Sequence, residues 1–374
     1  PSQVIDEATV EIKNFPLTDT GNAERMAHMF GENLRYCAQW GKWLTWNGWK
    51  WEQSTDGSSK IYQYAIATIR AIQHEATEQQ DPDRRKALGT WGFKCEEKKK
   101  LDSMVALCAK LPGIPVSTHD LDAHNHLLNL RNGTYNLIEQ TLQKHDRKDM
   151  LTRGIPIDYD ENATCETWKS FLLVVLDNDA DLLKYIWKAV GYSLDGSCSE
   201  QCFFFVHGNT GNNGKSTFIE TLLELFGDYA SQTPTDTLMA KFGDPGISND
   251  IARLKDARLV AAPETEDGKR LNEGLVKRLT GGDTITARFM HQEFFEFKPQ
   301  FKVWMTGNHQ PEIRGTDDAI WRRVKQIPFQ VTVPPDDRDP ALKDKLIKEL
   351  PGFLAWAIKG QTAWRSERLG NPQA

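Results

Sequence analysis

The sequence has few of the features that mark secreted, zinc-binding or membrane-spanning proteins. Its six cysteines include no Cys-x-x-Cys pair, which argues against a zinc site or a disulfide framework and favours a reducing compartment. No apolar run approaches the roughly 20 residues that a membrane-spanning helix needs, and the run FLLVVL at residues 171–176 is far too short. Internal repeats, low-complexity tracts and a signal-like segment are also lacking. We therefore expect no membrane partner.

What is present is a long chain of mixed charge, typical of globular proteins. Its 374 residues predict two or three domains, and because it begins at Pro1 we expect it to be part of a longer protein. The net charge of −6 by itself argues against nucleic-acid binding. Residues 269–325, however, carry eleven lysines and arginines against seven acidic residues. Such a local basic face on an acidic body is compatible with a DNA channel.

Tryptophans cluster in WGKWLTWNGWKWEQ, which starts at Trp40. The Asn-Gly pair at 47–48 between two alternating runs predicts a two-residue hairpin turn. In that register Trp46 faces Trp49, and Leu44 faces Trp51. We favour the aromatic core of a small domain over a base-stacking surface.

The rest of the chain alternates between helical and strand patterns. Helical periodicity in 58–80 and 98–114 is followed by an Asn-Gly hairpin signal within 126–145 and by two amphipathic helices before residue 200. From Cys202 onward, short apolar strands separated by helices predict an α/β domain. The chain is helical again after residue 335.

The stretch HGNTGNNGKST at residues 207–217 follows an apolar strand and precedes a helix. In a phosphate-binding P-loop, glycines let main-chain N–H groups converge on phosphates, a lysine reaches the β- and γ-phosphates, and a hydroxyl holds Mg²⁺. Five residues rather than four separate Gly208 from Gly214, so either Asn209 takes the first loop position or the loop is one residue longer. The predicted ATP-binding residues are Gly208, Asn209, Thr210, Gly211, Asn212, Asn213, Gly214, Lys215, Ser216 and Thr217.

A phosphate site of this kind also needs carboxylates on a neighbouring strand. The run ARLVAAPETEDG ends in Glu264 and Glu266, which share a face if the strand continues. Pro263 is unusual inside a central strand and suggests that the strand ends there. We expect Glu264 to be the principal carboxylate for metal and water and Glu266 to assist, the alternative being a solvated acidic turn.

Two later polar residues complete the predicted catalytic set. The buried run FKVWMTGNHQP delivers Asn308 at its end, where an amide can position water or sense the γ-phosphate. DDAIWRRVKQIPF presents Arg322 and Arg323. An arginine supplied by a neighbouring subunit neutralises transition-state charge, and the alternative is a surface ion pair with Asp317 or Asp318.

In series these stretches resemble the superfamily 3 helicases, and among them the phage and plasmid primase-helicases related to the poxvirus primase-helicase. YCAQWGKWLTWNGWKWEQ, LPGIPVS and LDAHNHLLNLRNGTYNL are similar to that family's N-terminal region, and AVGYSLDGSCSEQCFFFVHG leads into its P-loop. The motifs from NDIARLKDARLVAAPETEDGKRL to DDAIWRRVKQIPF keep the order of the family's motor. The extra residue before Gly214 departs from the family's usual loop.

The resemblance implies an α/β fold, a P-loop NTPase core of the AAA+-like superfamily 3 helicase type with a mixed α+β N-terminal domain and a C-terminal helical lid. The implied domains are an accessory collar (1–165), a helical linker or oligomerisation segment (166–200), the ATPase core (201–332) and the lid (333–374).

The resemblance also implies roles for individual residues. Lys215 and Ser216 belong to the Walker A motif, and Glu264 with Glu266 to Walker B, so that Ser216 and Glu264 hold Mg²⁺. Asn308 is the implied sensor and Arg322 the implied arginine finger. The segment 284–297 matches a hairpin that projects into the pore of a ring, where the implied DNA contacts are Arg288, His291 and Lys298. The alternative for this hairpin is plain sheet core with solvated basic residues.

The implied activity is that of an ATP-dependent DNA helicase, with ATP and Mg²⁺ as cofactors at the subunit interfaces of a homo-oligomeric, hexameric ring. Single-stranded or forked DNA and a fused or separate primase are the implied partners, during phage, plasmid or mobile-element replication in the cytoplasm of a bacterial host cell. Two other classes share parts of this pattern: a P-loop small-molecule kinase, which would act as a monomer, and a DNA-binding assembly ATPase without helicase activity.

Overall fold

The computed structural model describes seven stretches of the chain: residues 15–54, 59–208, 211–240, 249–265, 268–289, 294–314 and 318–372. It divides into two compact units, the first formed by residues 1–123 and 146–152 and the second by residues 124–145 and 153–374. The domain boundaries inferred above stay predictions. Among the described residues, no helix combines the length and the apolar character that crossing a membrane requires.

The described residues of the first unit form a small sheet and four α-helices. Its elements in chain order are α1 (Asp19–Phe30), β1 (Leu34–Cys37), β2 (Lys42–Trp46), β3 (Trp51–Gln53), α2 (Ser59–Glu78), α3 (Pro82–Lys94), α4 (Lys98–Cys108) and β4 (Pro115–Val116). The strand order is β3-β2-β1-β4, with only the β1–β4 pair parallel. The helices predicted in 58–80 and 98–114 are confirmed as α2 and α4, although α4 ends well before Pro112.

The register predicted for the tryptophan hairpin is wrong. Trp46 pairs with Trp51 and Leu44 pairs with Gln53, so residues 47–50 form a four-residue loop instead of a two-residue turn. The rings of Trp46 and Trp51 meet edge to face with centroids 5.7 Å apart. Trp51 is fully buried, in agreement with the aromatic-core interpretation.

The side chain of Asn47 explains the longer loop. Its Oδ1 accepts hydrogen bonds from the main-chain N–H groups of Trp49 at 3.0 Å and Lys50 at 2.8 Å. Asparagine often closes a loop in this way by mimicking a main-chain turn. Gly48, at φ 107°, supplies the positive φ that the loop needs.

The second unit contains the remaining elements. In chain order they are β5 (Leu127–Leu130), β6 (Gly133–Asn136), β7 (Thr141–Gln143), α5 (Glu166–Val175), α6 (Ala180–Leu194), β8 (Phe203–His207), α7 (Lys215–Phe226), β9 (Ala230–Gln232), α8 (Asn249–Ala252), β10 (Leu259–Thr265), α9 (Glu273–Gly281), β11 (Ile285–Ala287), β12 (Phe295–Phe297), β13 (Lys302–Gly307), α10 (Asp318–Trp321), β14 (Val324–Pro328), α11 (Leu342–Lys348) and α12 (Leu350–Glu367). The antiparallel sheet β5-β6-β7 confirms the hairpin predicted within 126–145.

A five-stranded parallel sheet forms the centre of this unit, in the order β14-β8-β13-β10-β9. Alternate residues of β8 enter different cores: Phe204 and Val206 pack with α5, α6, α7 and α12, whereas Phe203 and Phe205 pack with α9 and the β11–β12 pair. Strands buried on both faces read as continuous apolar runs. The prediction of a mixed α/β unit with a parallel sheet is therefore confirmed.

The expectation that β10 ends at Pro263 is wrong. The strand runs on to Thr265, with a register shift against β13 between Ala262 and Thr265. Strand β9 pairs only with the earlier residues of β10, up to Ala261. Pro263 thus occupies an irregular position of the strand, where the pairing with β13 does not require an N–H donor.

The C-terminal helices pack within the same unit. Helices α6 and α12 approach so closely that a Cβ added to Gly191 would lie 2.1 Å from the main-chain nitrogen of Gln361. Helix α11 reaches α7 through an ion pair of 2.7 Å between Lys343 and Glu220. The role of α11 and α12 as a lid stays a prediction.

Candidate functional site

The carboxyl edge of the parallel sheet gathers the predicted motifs. His207, Gly307 and Thr265 lie in one row across the neighbouring strands β8, β13 and β10. The loop from Gly208 leaves β8 at this edge, and Asn308 directly follows β13. Ligands of open α/β sheets bind at this edge of the strands.

The loop between β8 and α7 has a backbone that requires glycine at two positions. Gly214 has φ 84° and caps the N-terminus of α7, a conformation that side chains rarely adopt. A Cβ on Gly208 would lie 2.2 Å from the carbonyl oxygen of Phe329. Asn212 takes φ 56°, which asparagine tolerates better than most residues. The predicted binding residues Asn209 and Thr210 lie outside the described part of the chain.

Lys215 links this loop to the neighbouring strand. Its Nζ donates hydrogen bonds to the carbonyl oxygen of Gly208 at 3.1 Å and to Oδ1 of Asn308 at 3.0 Å. Burial lowers the pKa of Lys215 below the usual lysine range, so its positive charge is poorly solvated. An anion beside the amine would restore that stabilisation.

The first turn of α7 provides the other groups that a phosphate site needs. Ser216 is exposed there and Thr217 is half-buried, while the main-chain N–H groups of the turn carry the positive end of the helix dipole. Asn213, just before it, is buried. The glycine cradle, the amine and the hydroxyl together fit a triphosphate with a divalent cation.

The predicted carboxylates are only partly described. The main chain of Glu264 lies near the end of β10, in the strand beside the one that carries Asn308, but its side chain is outside the described set. Glu266 lies outside it altogether. A cation held by Ser216 and Glu264 is compatible with this backbone arrangement and stays a prediction.

Arg322 lies at the opposite edge of the sheet from Lys215. Val324 pairs with Phe203 at the start of β8, and the four residues from there to His207 span about 13 Å. Arg322 is exposed, whereas Arg323 is buried and donates to the carbonyl oxygen of Ala319 at 2.7 Å. The structure therefore does not bring Arg322 together with Lys215 and Asn308 within one chain.

The predicted DNA-contacting hairpin exists as the antiparallel pair β11–β12, in which Thr286 faces Glu296. Its inner face is core, with Ile285 and Phe297 buried. His291, the predicted tip residue, lies outside the described residues.

Exposed groups lie next to this pair. Arg288 and Lys298 are exposed, and the guanidinium carbon of Arg288 lies 4.8 Å from the ring centroid of Phe294, itself 54% exposed. A cation stacked on an exposed ring is one arrangement by which proteins hold single-stranded nucleic acid. The sheet-core alternative, in which the basic residues are only solvated, fits the same exposure, and DNA contact by this hairpin stays a prediction.

Sequence reasoning missed the segment after β14, residues 329–333, which hydrogen-bonds to the loop between β8 and α7. The N–H of Phe329 donates to the carbonyl oxygen of His207 at 2.7 Å, and the N–H of Val333 donates to that of Asn212 at 3.0 Å. Because both contacts are made by main-chain atoms, side-chain chemistry could not have revealed them.

The geometry defines an α/β protein with a glycine-rich strand–loop–helix at the carboxyl edge of a parallel sheet. Comparison with known proteins refines that class. Residues 23–177 match the family described as D5 N terminal like, and residues 206–323 match a family of unknown function, DUF5906.

Viral proteins are among the relatives. The chain is 32% identical over 236 residues to "Putative helicase L207/L206" of Acanthamoeba polyphaga mimivirus, which covers 61% of this chain and 24% of that protein. It is 26% identical over 320 residues to "Putative helicase 184R" of Invertebrate iridescent virus 6, which covers 74% of this chain and 32% of that protein. The chain thus spans about a quarter to a third of the length of these relatives.

A solved structure supports the mixed α/β fold described above. The apo structure of the NrS-1 C terminal region (305–718) superposes with a TM-score of 0.58 at 12% identity, covering 94% of this chain and 72% of that one. The chain is related to the helicase-named proteins of large DNA viruses, and its resemblance to the poxvirus-type primase-helicase family is confirmed.

Proposed function

We propose that this chain is the motor part of an ATP-dependent DNA helicase of the superfamily 3 type, acting in replication of a virus, phage or mobile element. The contact between Lys215 and Asn308 carries the proposal, because it joins a glycine-rich phosphate loop to a polar residue on the adjacent strand. The relationship to viral proteins named as helicases supports the choice of DNA as the substrate.

In this account the loop binds and orients a triphosphate. Main-chain N–H groups around Gly214 donate to phosphate oxygens, and Lys215 exchanges its bond to Asn308 for one to the γ-phosphate. The freed amide of Asn308 then orients the attacking water. Mg²⁺, when bound by Ser216 and Glu264, supplies charge neutralisation on the phosphates.

A second copy of the chain supplies the remaining cation. Arg322 precedes β14, whose first residue pairs with the start of β8, and the four residues of β8 from there to the loop span about 13 Å. Arg322 therefore fits a neighbour's site better than its own. Sites shared in this way fit a head-to-tail assembly, which forms a ring where its rotation closes, and a hexameric ring is our proposal for it. Loss of such an arginine costs about 10³-fold or more in turnover.

Single-stranded or forked DNA is the proposed substrate, and a fused or separate primase is the proposed functional partner. Arg288 and Lys298 contact phosphates, Phe294 stacks on bases, and His291 is the third basic residue proposed to bind DNA. Movement of the β11–β12 hairpin during the ATP cycle pulls the DNA strand through the ring.

ATP turnover of the purified chain with and without single-stranded DNA tests this function. We expect DNA to stimulate turnover and Lys215→Met to abolish it, because the amine is the group that reaches the γ-phosphate. Lys184→Met is the matched control, since Lys184 of α6 forms an exposed ion pair with Glu367 of α12 at 2.9 Å and makes no contact named in the site. Phosphate transfer to a small molecule by a monomer, or DNA binding with no turnover, contradicts the proposal.

A further inference from the structure

Helix α5 begins with an unusual cap. Its N-cap residue Cys165 makes no side-chain capping hydrogen bond. The carboxylate of Glu349, from the junction of α11 and α12, takes over this task. Its Oε1 accepts from the N–H and the hydroxyl of Thr167 at 3.1 and 2.6 Å, and its Oε2 accepts from the N–H of Trp168 at 3.1 Å.

A carboxylate at this place is well suited to hold the helix. It satisfies N–H groups that have no partner within the helix, and its negative charge faces the positive end of the helix dipole. Because Glu349 is remote in sequence from α5, it ties the C-terminal helices to the start of α5 and is not merely a local turn.

The other end of α5 touches the phosphate loop. A Cβ added to Gly214 would lie 2.6 Å from Cγ1 of Val175 and 3.0 Å from Cε2 of Phe171. These two side chains therefore fill the space directly against the residue that caps α7. Any movement of α5 along its axis would press on Gly214 or withdraw support from it.

Packing along the helix makes α5 a rigid connection between these two ends. Its ten residues span about 15 Å. The ring of Trp168 stacks on Phe353 of α12 with centroids 4.0 Å apart and on Phe218 of α7 with centroids 5.7 Å apart. Closely packed elements of this kind transmit small displacements.

We propose that Glu349 is a positioning residue for the phosphate loop, acting through α5 on Gly214. The proposal rests on the proposed function, because it takes the loop to be the triphosphate site. When Glu349 holds the start of α5, Phe171 and Val175 press on the loop and keep the N–H groups near Gly214 aimed at the phosphates. Loss of the cap leaves the fold in place and weakens nucleotide binding.

Binding of a fluorescent ATP analogue, measured with thermal unfolding of each variant, tests this proposal. We expect Glu349→Ala to raise the dissociation constant about tenfold, and Thr167→Val, which removes one of the three hydrogen bonds, to raise it less. Glu166→Gln is the matched control, since Glu166 lies in the same turn of α5 but pairs with the exposed Lys169 at 2.9 Å. Its affinity should equal that of the wild type.

A double variant separates positioning from general stability. If both residues act through this cap, Glu349→Ala combined with Thr167→Val binds no more weakly than Glu349→Ala alone. A lower melting temperature with unchanged affinity, measured well below unfolding, overturns the proposal. If Glu349→Ala does not fold, Glu349→Gln and Thr167→Val decide by the same criterion. Failure of the wild type to bind ATP refutes the proposed function as well, whereas equal binding by wild type and variants refutes only the role of Glu349.

Discussion

Lys215 Nζ donates a 3.0 Å hydrogen bond to Asn308 Oδ1 and so connects the glycine-rich loop to the end of the neighbouring strand. The same amine also donates to the carbonyl oxygen of Gly208 at 3.1 Å. The two partners hold the lysine over the loop. Because the amide is a neutral partner, a phosphate can replace it at little cost.

Substitution of Asn308 should separate catalysis from binding. We expect Asn308→Ala to lower ATP turnover about 100-fold with little change in ATP affinity, because Lys215 keeps its bond to Gly208. Asn308→Asp should instead weaken ATP binding, since a carboxylate next to Lys215 competes with the γ-phosphate for the amine. Turnover and equilibrium binding measure the two effects, with His309→Ala at the exposed neighbouring position as the control. Equal loss of binding in both Asn308 variants would contradict this division of roles.

Two glycines of the loop should respond differently to the same substitution. Gly208→Ala places a Cβ 2.2 Å from the carbonyl oxygen of Phe329, whereas Gly211→Ala meets no atom within 4 Å. We expect the first to abolish high-affinity ATP binding and the second to reduce it much less, because only the first must displace main-chain atoms of the protein. Calorimetric titration with ATP checks both. Similar affinities for the two variants would show that the loop is held in another way.

Buried Lys302 should give the protein a characteristic pH dependence of stability. Burial lowers the pKa of Lys302 to about 8, and only 1% of the residue is exposed. Its Nζ donates to the carbonyl oxygen of Asp195 and lies 4.4 Å from the ring centroid of Tyr192. Between pH 8 and 10.5 the unfolded chain therefore binds more protons at this lysine than the folded one. Linkage then requires this contribution to stability to rise with pH across that window.

The variant Lys302→Met isolates this effect. We expect the free energy of unfolding of the wild type to rise relative to that of Lys302→Met by an amount on the order of 3 kcal/mol from pH 8 to 10.5, because titrating groups that do not interact with Lys302 cancel in the difference. Urea unfolding at a series of pH values measures it. Lys184→Met, which changes an exposed lysine, should run parallel to the wild type. A flat difference for Lys302→Met would mean that the amine keeps its ordinary pKa.

Arg288 and Phe294, the exposed pair at the β11–β12 hairpin, should affect the binding of DNA and not the binding of ATP. We expect Arg288→Ala to weaken single-stranded DNA binding and to reduce the slope of its salt dependence by about 0.7, the amount for one lost phosphate contact. Phe294→Ala should cost about 1–3 kcal/mol of binding with an unchanged salt slope, because it removes stacking and not charge. Fluorescence anisotropy at several salt concentrations separates the two, with Thr286→Ala on the exposed side of β11 as the control. Wild-type binding by both variants would leave the hairpin without a role in DNA contact.

Much of the fold followed from local patterns, and its departures have identifiable physical causes. The apolar run before Gly208 and the helical run after Lys215 were enough to predict β8 and α7, and the end of β13 placed Asn308 correctly. The tryptophan hairpin was misregistered because Asn47 closes a wider loop with its own side chain, which Asn-Gly statistics do not reveal. Strand β10 continues past Pro263 because the irregularity in its pairing removes the need for an N–H group at that point.

The candidate site was harder to predict wherever distant segments meet. Phe329 and Val333 hold the loop with main-chain atoms, so their side chains carry no signal. Glu349 reads as one of several charges on a C-terminal helix until the fold places it at the start of α5. Such contacts depend on tertiary packing and not on local sequence.

ATP turnover of mixed subunits tests the central claim most directly. Arg322→Ala and Lys215→Ala should each be inactive alone, because one lacks the cation for its neighbour's site and the other lacks the amine of its own. When the two variants are mixed, a subunit with intact Lys215 can lie beside one with intact Arg322, so the account predicts recovery of part of the wild-type turnover. Mixtures that stay as inactive as the separate variants, although they assemble together, would contradict a site shared between neighbouring copies.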